Sequence, residues 1–340
     1  MRNKFLKLPK QTRINAFNQI AEKKGITPFA VEKDWWVTQT LFAVFQLDMA
    51  FHIIFKGGTS LSKSWGLIQR FSEDIDLAID REFLGFSEIP KKKTNLRKKS
   101  AKFVAEEFYP KLKAKFSEIG ISEDVSFELE EVQSSDQDPR IIHIFYPSIV
   151  ETKGYINPKV QIEIGCRSLK EPFTQRKISS FVDEMYRHLD FTEDSFLVPS
   201  VNPERTFLEK IFLLHEEFQK PKEKMRVDRL SRHLYDLYSL YYSEYKEKAL
   251  NDSDLYRTIV KHREEFTKVA GINYSLHSPQ TVNFLPPKDV FKDWEKDYEV
   301  MKSEMLYSEN RPSFDEIIAS LERLKQEINN LKCSIVMLKY

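Results

Sequence analysis

Apolar residues recur at helical spacing over residues 8–46, which predicts two helices near the start of the chain. Pro9 suits a first helical turn, Gly25 ends the first helix, and Thr27-Pro28 starts the second at an N-cap. The second helix carries Phe29, Val31, Trp35, Trp36 and a Leu41-Phe42 pair, enough to bury it. The period then changes. Ile53 to Phe55 is a short apolar run halted by Gly57-Gly58, which reads as a strand and a tight turn. A helix follows over about 59–68, and 74–79 returns as a strand. Beyond a basic helical stretch, 91–116, strands are predicted near 125–130, 141–146 and 159–164, with a polar loop at 133–140. After Asn202-Pro203 the pattern is almost wholly helical. The last helix repeats Leu321, Leu324, Ile328, Leu331, Ile335 and Leu338 as an apolar seam suited to packing within the chain. The expected architecture is α/β of the α+β kind: a mixed sheet with flanking helices over 1–200, then a helical domain over 201–340.

Composition narrows the class without naming a function. At 41% hydrophobic and 31% charged, the 340 residues form a folded globular chain, not a disordered one. Lys plus Arg number 53 against 52 Asp plus Glu, which removes a strongly basic chain as an argument for nucleic-acid binding and leaves only a local basic groove. Cys166 and Cys333 lack metal-ligand spacing and make no disulfide framework, so a reducing cytoplasm is expected. No stretch approaches the ~20 apolar residues of a membrane helix.

The chemistry concentrates in KGGTSLSKSWGLIQRFSEDIDL, which begins at Lys56 and ends at Leu77. In DIDLAI the alternation of a strand puts Asp74 and Asp76 on one face. Two neighbouring carboxylates repel unless a cation lies between them, and Mg²⁺ favours a few carboxylates plus substrate phosphates. For an isolated D-x-D a solvated strand face is the better explanation. Here a strand, Gly57-Gly58, Thr59-Ser60 and a helix start stand upstream, delivering backbone N–H groups and hydroxyls suited to phosphate. Together the two halves can hold a triphosphate and its metals.

These residues carry a resemblance. G-G-T-S-L followed by R-x-S-E-D-I-D-L resembles the AbiEii/AbiGii toxin family, nucleotidyltransferases of the polymerase-β superfamily found in abortive-infection and toxin–antitoxin systems. The likeness is close over 55–79 and looser across most of the chain, and EKDWW, from Glu32 to Trp36, is similar to a segment that precedes the glycine motif in that family. The resemblance implies a polymerase-β-like nucleotidyltransferase fold. It puts Lys56, Gly57, Gly58, Thr59 and Ser60 at the triphosphate of an NTP, and Asp74 and Asp76 on Mg²⁺ or Mn²⁺. It further implies an RNA acceptor, with the 3′ end of tRNA foremost, and a cognate antitoxin protein. The superfamily adds a third carboxylate from a later strand, for which Glu163 in KVQIEIG is the candidate and Glu130 in SFELE the competitor.

In the helix opened by Asn202-Pro203-Glu204, Phe207, Ile211 and Leu214 mark the buried stripe and Lys210 lies beside it. A lysine there ordinarily snorkels to water. Arg232 and Asp236, four apart, make an ordinary helix ion pair. The resemblance instead places Lys210 and Asp236 at the active-site cleft, with the lysine on the nucleotide phosphates. His233 stands where the family often has aspartate, and no role is assigned to it. Two basic regions are candidate RNA tracks: Lys91-Lys92-Lys93 with Arg97, Lys98, Lys99 and Lys102, and Lys220, Lys222, Lys224, Arg226, Arg229 and Arg232. Rival readings are nucleotidylation of a protein side chain, a catalytically silent NTP-binding regulator, and a P-loop phosphotransferase. Ser62 stands where the P-loop needs glycine and counts against the last.

Overall fold

The computed structural model describes residues 2–72, 74–86, 93–134, 137–151, 158–166 and 172–331. Lys91, Lys92, Cys333, Ile335 and Leu338 of the expectations above lie outside them, as do two residues of the polar loop, 135 and 136. The chain forms two compact units, Met1–Val201 and Asn202–Tyr340.

The first unit opens with helices α1 (Lys10–Lys24) and α2 (Pro28–Phe45), bounded as their caps dictate. Gly25 takes the left-handed conformation that ends α1, and the Thr27 side chain accepts the Ala30 N–H at the start of α2. Strand β1 (Ile53–Lys56), helix α3 (Gly57–Lys63) and strand β2 (Asp74–Ile79) follow. Helix α3 starts earlier and ends sooner than its pattern suggests, because Gly66 at φ +65° turns the chain away. Helices α4 (Lys93–Phe103) and α5 (Tyr109–Ile119) run together through a π-helical segment, Val104–Phe108. The unit is completed by β3 (Ser126–Leu129), β4 (Arg140–Phe145), β5 (Lys159–Gly165), β6 (Phe173–Ile178), the short α6 (Phe181–Met185) and β7 (Phe196–Val201).

The seven strands form one mixed sheet in the order β3-β4-β5-β2-β1-β7-β6. The pairs β2–β5 and β1–β7 are parallel and the rest antiparallel. Two strands go beyond the five that periodicity indicates. In β7 Pro199 interrupts the strand signal, and β6, at the sheet edge, is mostly polar and exposed. One sheet face is core: Ile53, Phe55, Ile75, Leu77, Ile142, Ile144, Val160, Ile162 and Ile164 are all buried. Helix α2 packs over β5, and 15 of its 18 residues are buried, among them the polar or charged Glu32, Lys33, Asp34, Thr38, Gln39 and Thr40. The opposite sheet face keeps the polar half of each alternation, including Asp74, Asp76, Gln161 and Glu163.

The second unit consists of α7 (Pro203–Glu217), α8 (Ser231–Tyr241), α9 (Tyr245–Asn251), α10 (Ser253–His262), α11 (Phe291–Met305) and α12 (Phe314–Asn329). In α7, Phe207, Ile211 and Leu214 are buried as their spacing requires, and Leu208 and Phe212 join them. Helix α12 begins with a capping box between Ser313 and Glu316, and its Leu321, Leu324 and Ile328 face the interior against α8. No helix among the described residues is long and apolar enough to cross a membrane.

Candidate active site

The sheet register builds the site. Lys56 of β1 pairs with Asp76 of β2, and Asp76 with Glu163 of β5. Residues in register point to the same side, so these three side chains form a row across three neighbouring strands. Asp74 stands two residues along β2, opposite Gln161, whose amide donates to Glu163 at 2.9 Å and orients it. The two rival carboxylates are thereby separated in space. Glu163 lies one strand from Asp76, about 4.8 Å, whereas Glu130 follows β3, three strands away at about 14 Å. Glu130 has company of its own there, with His143 Nε2 at 3.9 Å.

Gly57 begins α3 at φ +77°, and a Cβ there would lie 1.9 Å from Asp76 Oδ2. Both facts require glycine: no side chain tolerates that approach, and few tolerate that backbone. Gly58 is closed in by Arg70 and Ser72, 2.9 Å and 3.0 Å from the position of a Cβ. Thr59 and Ser60 turn their side chains inward. The Thr59 hydroxyl donates to the Asp74 carbonyl oxygen and lies 2.9 Å from Ser72 Oγ, fastening the glycine turn to the carboxylate strand. Ser60 is buried in α3. The Thr59 hydroxyl thus holds the turn in place.

The EKDWW segment anchors this assembly from below. Asp34 forms a buried salt bridge with Lys63 at the end of α3 and accepts the Phe181 N–H of α6 at 2.8 Å. Glu32 accepts the Ser148 hydroxyl and the Ile149 N–H, the latter at 2.9 Å. Burial holds its carboxyl above the usual range, and these two hydrogen bonds offset only part of that rise. Trp36 stacks on Tyr146 with centroids 5.1 Å apart, and Trp35 packs on Phe5.

A cavity of about 130 Å³ opens among Lys56, Asp76, Asp138, Glu163 and Gly165. At ~30 Å³ per water it has room for about four waters or a small hydrated ion, and is too small for a whole nucleotide. Asp138 is a carboxylate that sequence reading missed, sitting in what reads only as a polar loop. It accepts from Ser100 Oγ at 3.0 Å and the Cys166 N–H at 3.3 Å, and a Cβ on Gly165 would meet it at 2.7 Å. It thus fixes the end of β5 just beyond Glu163.

Among the described residues no three His, Cys, Asp or Glu side chains form a ready-made metal cage. Asp74, Asp76 and Glu163 put carboxylate oxygens, the donor type a hard cation prefers, on one face of the sheet, and only glycine fits against Asp76. Mg²⁺ is held in this manner, by one or two carboxylates completed by water and substrate phosphate.

In the second unit Lys210 does not snorkel. It is 6% exposed, and its Nζ lies 2.7 Å from Oδ2 of the wholly buried Asp236 and 3.2 Å from His233 Nδ1. Of the second basic region, Lys220 and Arg226 converge on Glu217 at 2.7 Å and 2.8 Å. The Arg229 backbone N–H donates to Asp297 Oδ1 at 2.8 Å. On α4, Lys98, Lys99 and Lys102 remain exposed.

Carboxylates thus range along one face of the sheet, with a glycine pressed against one of them. The chain belongs to the nucleotidyl transferase AbiEii toxin family of type IV toxin–antitoxin systems, whose profile matches residues 40–320. It is accordingly a nucleotidyltransferase toxin, and its family implies a cognate antitoxin. Among solved structures it is similar to MenT4, a nucleotidyltransferase toxin from Mycobacterium tuberculosis H37Rv, at 14% identity and TM-score 0.46, covering 95% of this chain and 97% of that one. It is also similar to JHP933 from Helicobacter pylori, at 16% identity and TM-score 0.43, covering 89% and 93%. No curated protein matches the chain.

Proposed function

We propose that this toxin transfers a nucleotide from an NTP to the 3′ end of an RNA, with tRNA as the acceptor class, using Mg²⁺ or Mn²⁺ at Asp74, Asp76 and Glu163. The observation that carries the reading is the register that sets Glu163 directly beside Asp76. In the reaction the acceptor hydroxyl oxygen bonds to the α-phosphorus, the bond to the bridging oxygen breaks, and pyrophosphate leaves. The bound cation would neutralise triphosphate charge and favour ionisation of the hydroxyl. Glu163, oriented by Gln161, takes the hydroxyl proton. Backbone N–H groups of 57–60, with Lys56, receive the triphosphate; in the second unit Lys210, fixed by Asp236, offers a positive charge suited to a nucleotide phosphate. Exposed Lys98, Lys99 and Lys102 track the RNA backbone. These substrates place its action in the cytoplasm, within a toxin–antitoxin or phage-defence setting.

The test is incubation of the protein with each labelled NTP and either total RNA or lysate protein, with EDTA and then with Mg²⁺ restored. Label is expected on RNA alone, lost with EDTA and regained with Mg²⁺. Label confined to protein would replace the RNA acceptor with a side-chain acceptor, and no label anywhere would favour a silent NTP-binding regulator.

A further inference from the structure

His233 and Asp236 lie three residues apart on α8, so their side chains share one face of the helix, and Lys210 of α7 reaches both. An ammonium has donors and no acceptor. The 3.2 Å approach of Lys210 Nζ to His233 Nδ1 is therefore a hydrogen bond donated by the lysine to the ring nitrogen. A lysine side chain has four rotatable bonds, and each added acceptor restricts where its end can lie. Two acceptors on one rigid helical face pin it.

We propose that His233 is a positioning residue for Lys210, doing with an imidazole nitrogen what a carboxylate oxygen could do at the same place. The proposal rests on the reading of Lys210 as a ligand of the nucleotide phosphates. It accounts for a histidine where the resemblance leads one to expect aspartate: the acceptor is kept and only its charge differs. The requirement is for a hydrogen-bond acceptor at this point, not for histidine as such.

The experiment compares full-length His233→Leu, His233→Asn, His233→Asp and Lys210→Met with the parent, reading KM for the NTP, KM for acceptor RNA and kcat. His233→Leu is expected to raise the NTP KM by about tenfold, the loss of one hydrogen bond to a charged group, without moving the RNA KM. His233→Asn and His233→Asp each restore an acceptor and should stay within about threefold of the parent. An unchanged NTP KM in His233→Leu overturns the proposal, and so does Asn or Asp behaving no better than Leu. Lys210→Met separates the two levels. If it leaves NTP binding intact, the role of Lys210 itself is wrong. If it weakens NTP binding while His233→Leu does not, only the role of His233 falls.

Discussion

Gly57→Ala isolates the contact on which the site depends. The added Cβ would sit 1.9 Å from Asp76 Oδ2 and 2.7 Å from its Cγ. Ordinary contact begins at 3.4 Å, so the carboxylate must withdraw by about 1.5 Å. A misplacement of ~1 Å at reacting groups costs on the order of 10²-fold in rate, so nucleotide transfer should fall at least about 100-fold. The backbone adds a separate cost, because φ +77° is left-handed and a residue with a Cβ loses about 1–2 kcal/mol there. For a unit of this size that lowers Tm by about 2–8 °C, leaving the protein folded at 25 °C. Gly25→Ala is the matched control, since it has φ +67° and no atom within 4 Å of a new Cβ. It should lose similar stability and keep its activity. The assay is initial-rate transfer from labelled NTP into total RNA, with thermal melts of both variants. Full activity in a folded Gly57→Ala protein would refute the reasoning, as would equal activity losses in the two variants.

Three further outcomes follow from the same geometry. Glu163→Gln should cut transfer by about 10²–10⁴-fold, whereas Glu130→Gln, three strands from Asp76, should stay within about twofold; the reverse order in initial rates would reassign the third carboxylate. Lys63→Met leaves the Asp34 carboxylate buried without its cation and should destabilise the first unit by about 3–5 kcal/mol in urea unfolding, with a loss under about 1 kcal/mol counting against an anchoring role. In the second unit, burial above all, and then the neighbouring His277, hold His215 down to about 4. The unfolded chain takes up that proton near the ordinary 6.5, so between these values it binds more protons and stability falls as pH falls. His215 should account for up to about 3 kcal/mol of stability at pH 7 that is lost by about pH 4, and His215→Asn should flatten the pH dependence of Tm over that window.

Alternation alone was enough to locate the carboxylate strand. DIDLAI folds as β2 over the expected residues, and KVQIEIG as β5 with Glu163 on its polar side. Which strand lies beside which is a matter of long-range pairing, and periodicity carries no register. Only the sheet order shows that Glu163 neighbours Asp76 and Glu130 does not. Thr59 and Ser60 were legible as hydroxyls at a helix start, but their direction was not. The Thr59 hydroxyl also fastens α3 to β2, a contact with a residue 15 positions on that no local pattern announces. The EKDWW segment was visible as a pattern, whereas its purpose rests on the Asp34–Lys63 pair, 29 residues apart. Asp138 had no signal at all. A carboxylate that serves by holding Ser100 and the Cys166 N–H shows itself only once three separate segments meet.

Asp76, beside Glu163, is the residue on which the proposed metal-dependent transfer to RNA depends most. Mass spectrometry of total RNA treated with the parent or with Asp76→Asn, each NTP supplied separately, tests it most directly. The parent should lengthen RNA 3′ ends by the mass of one or more nucleoside monophosphates, and Asp76→Asn, with an unchanged melting profile, should leave them as they were. Equal modification by a folded Asp76→Asn protein would contradict the account.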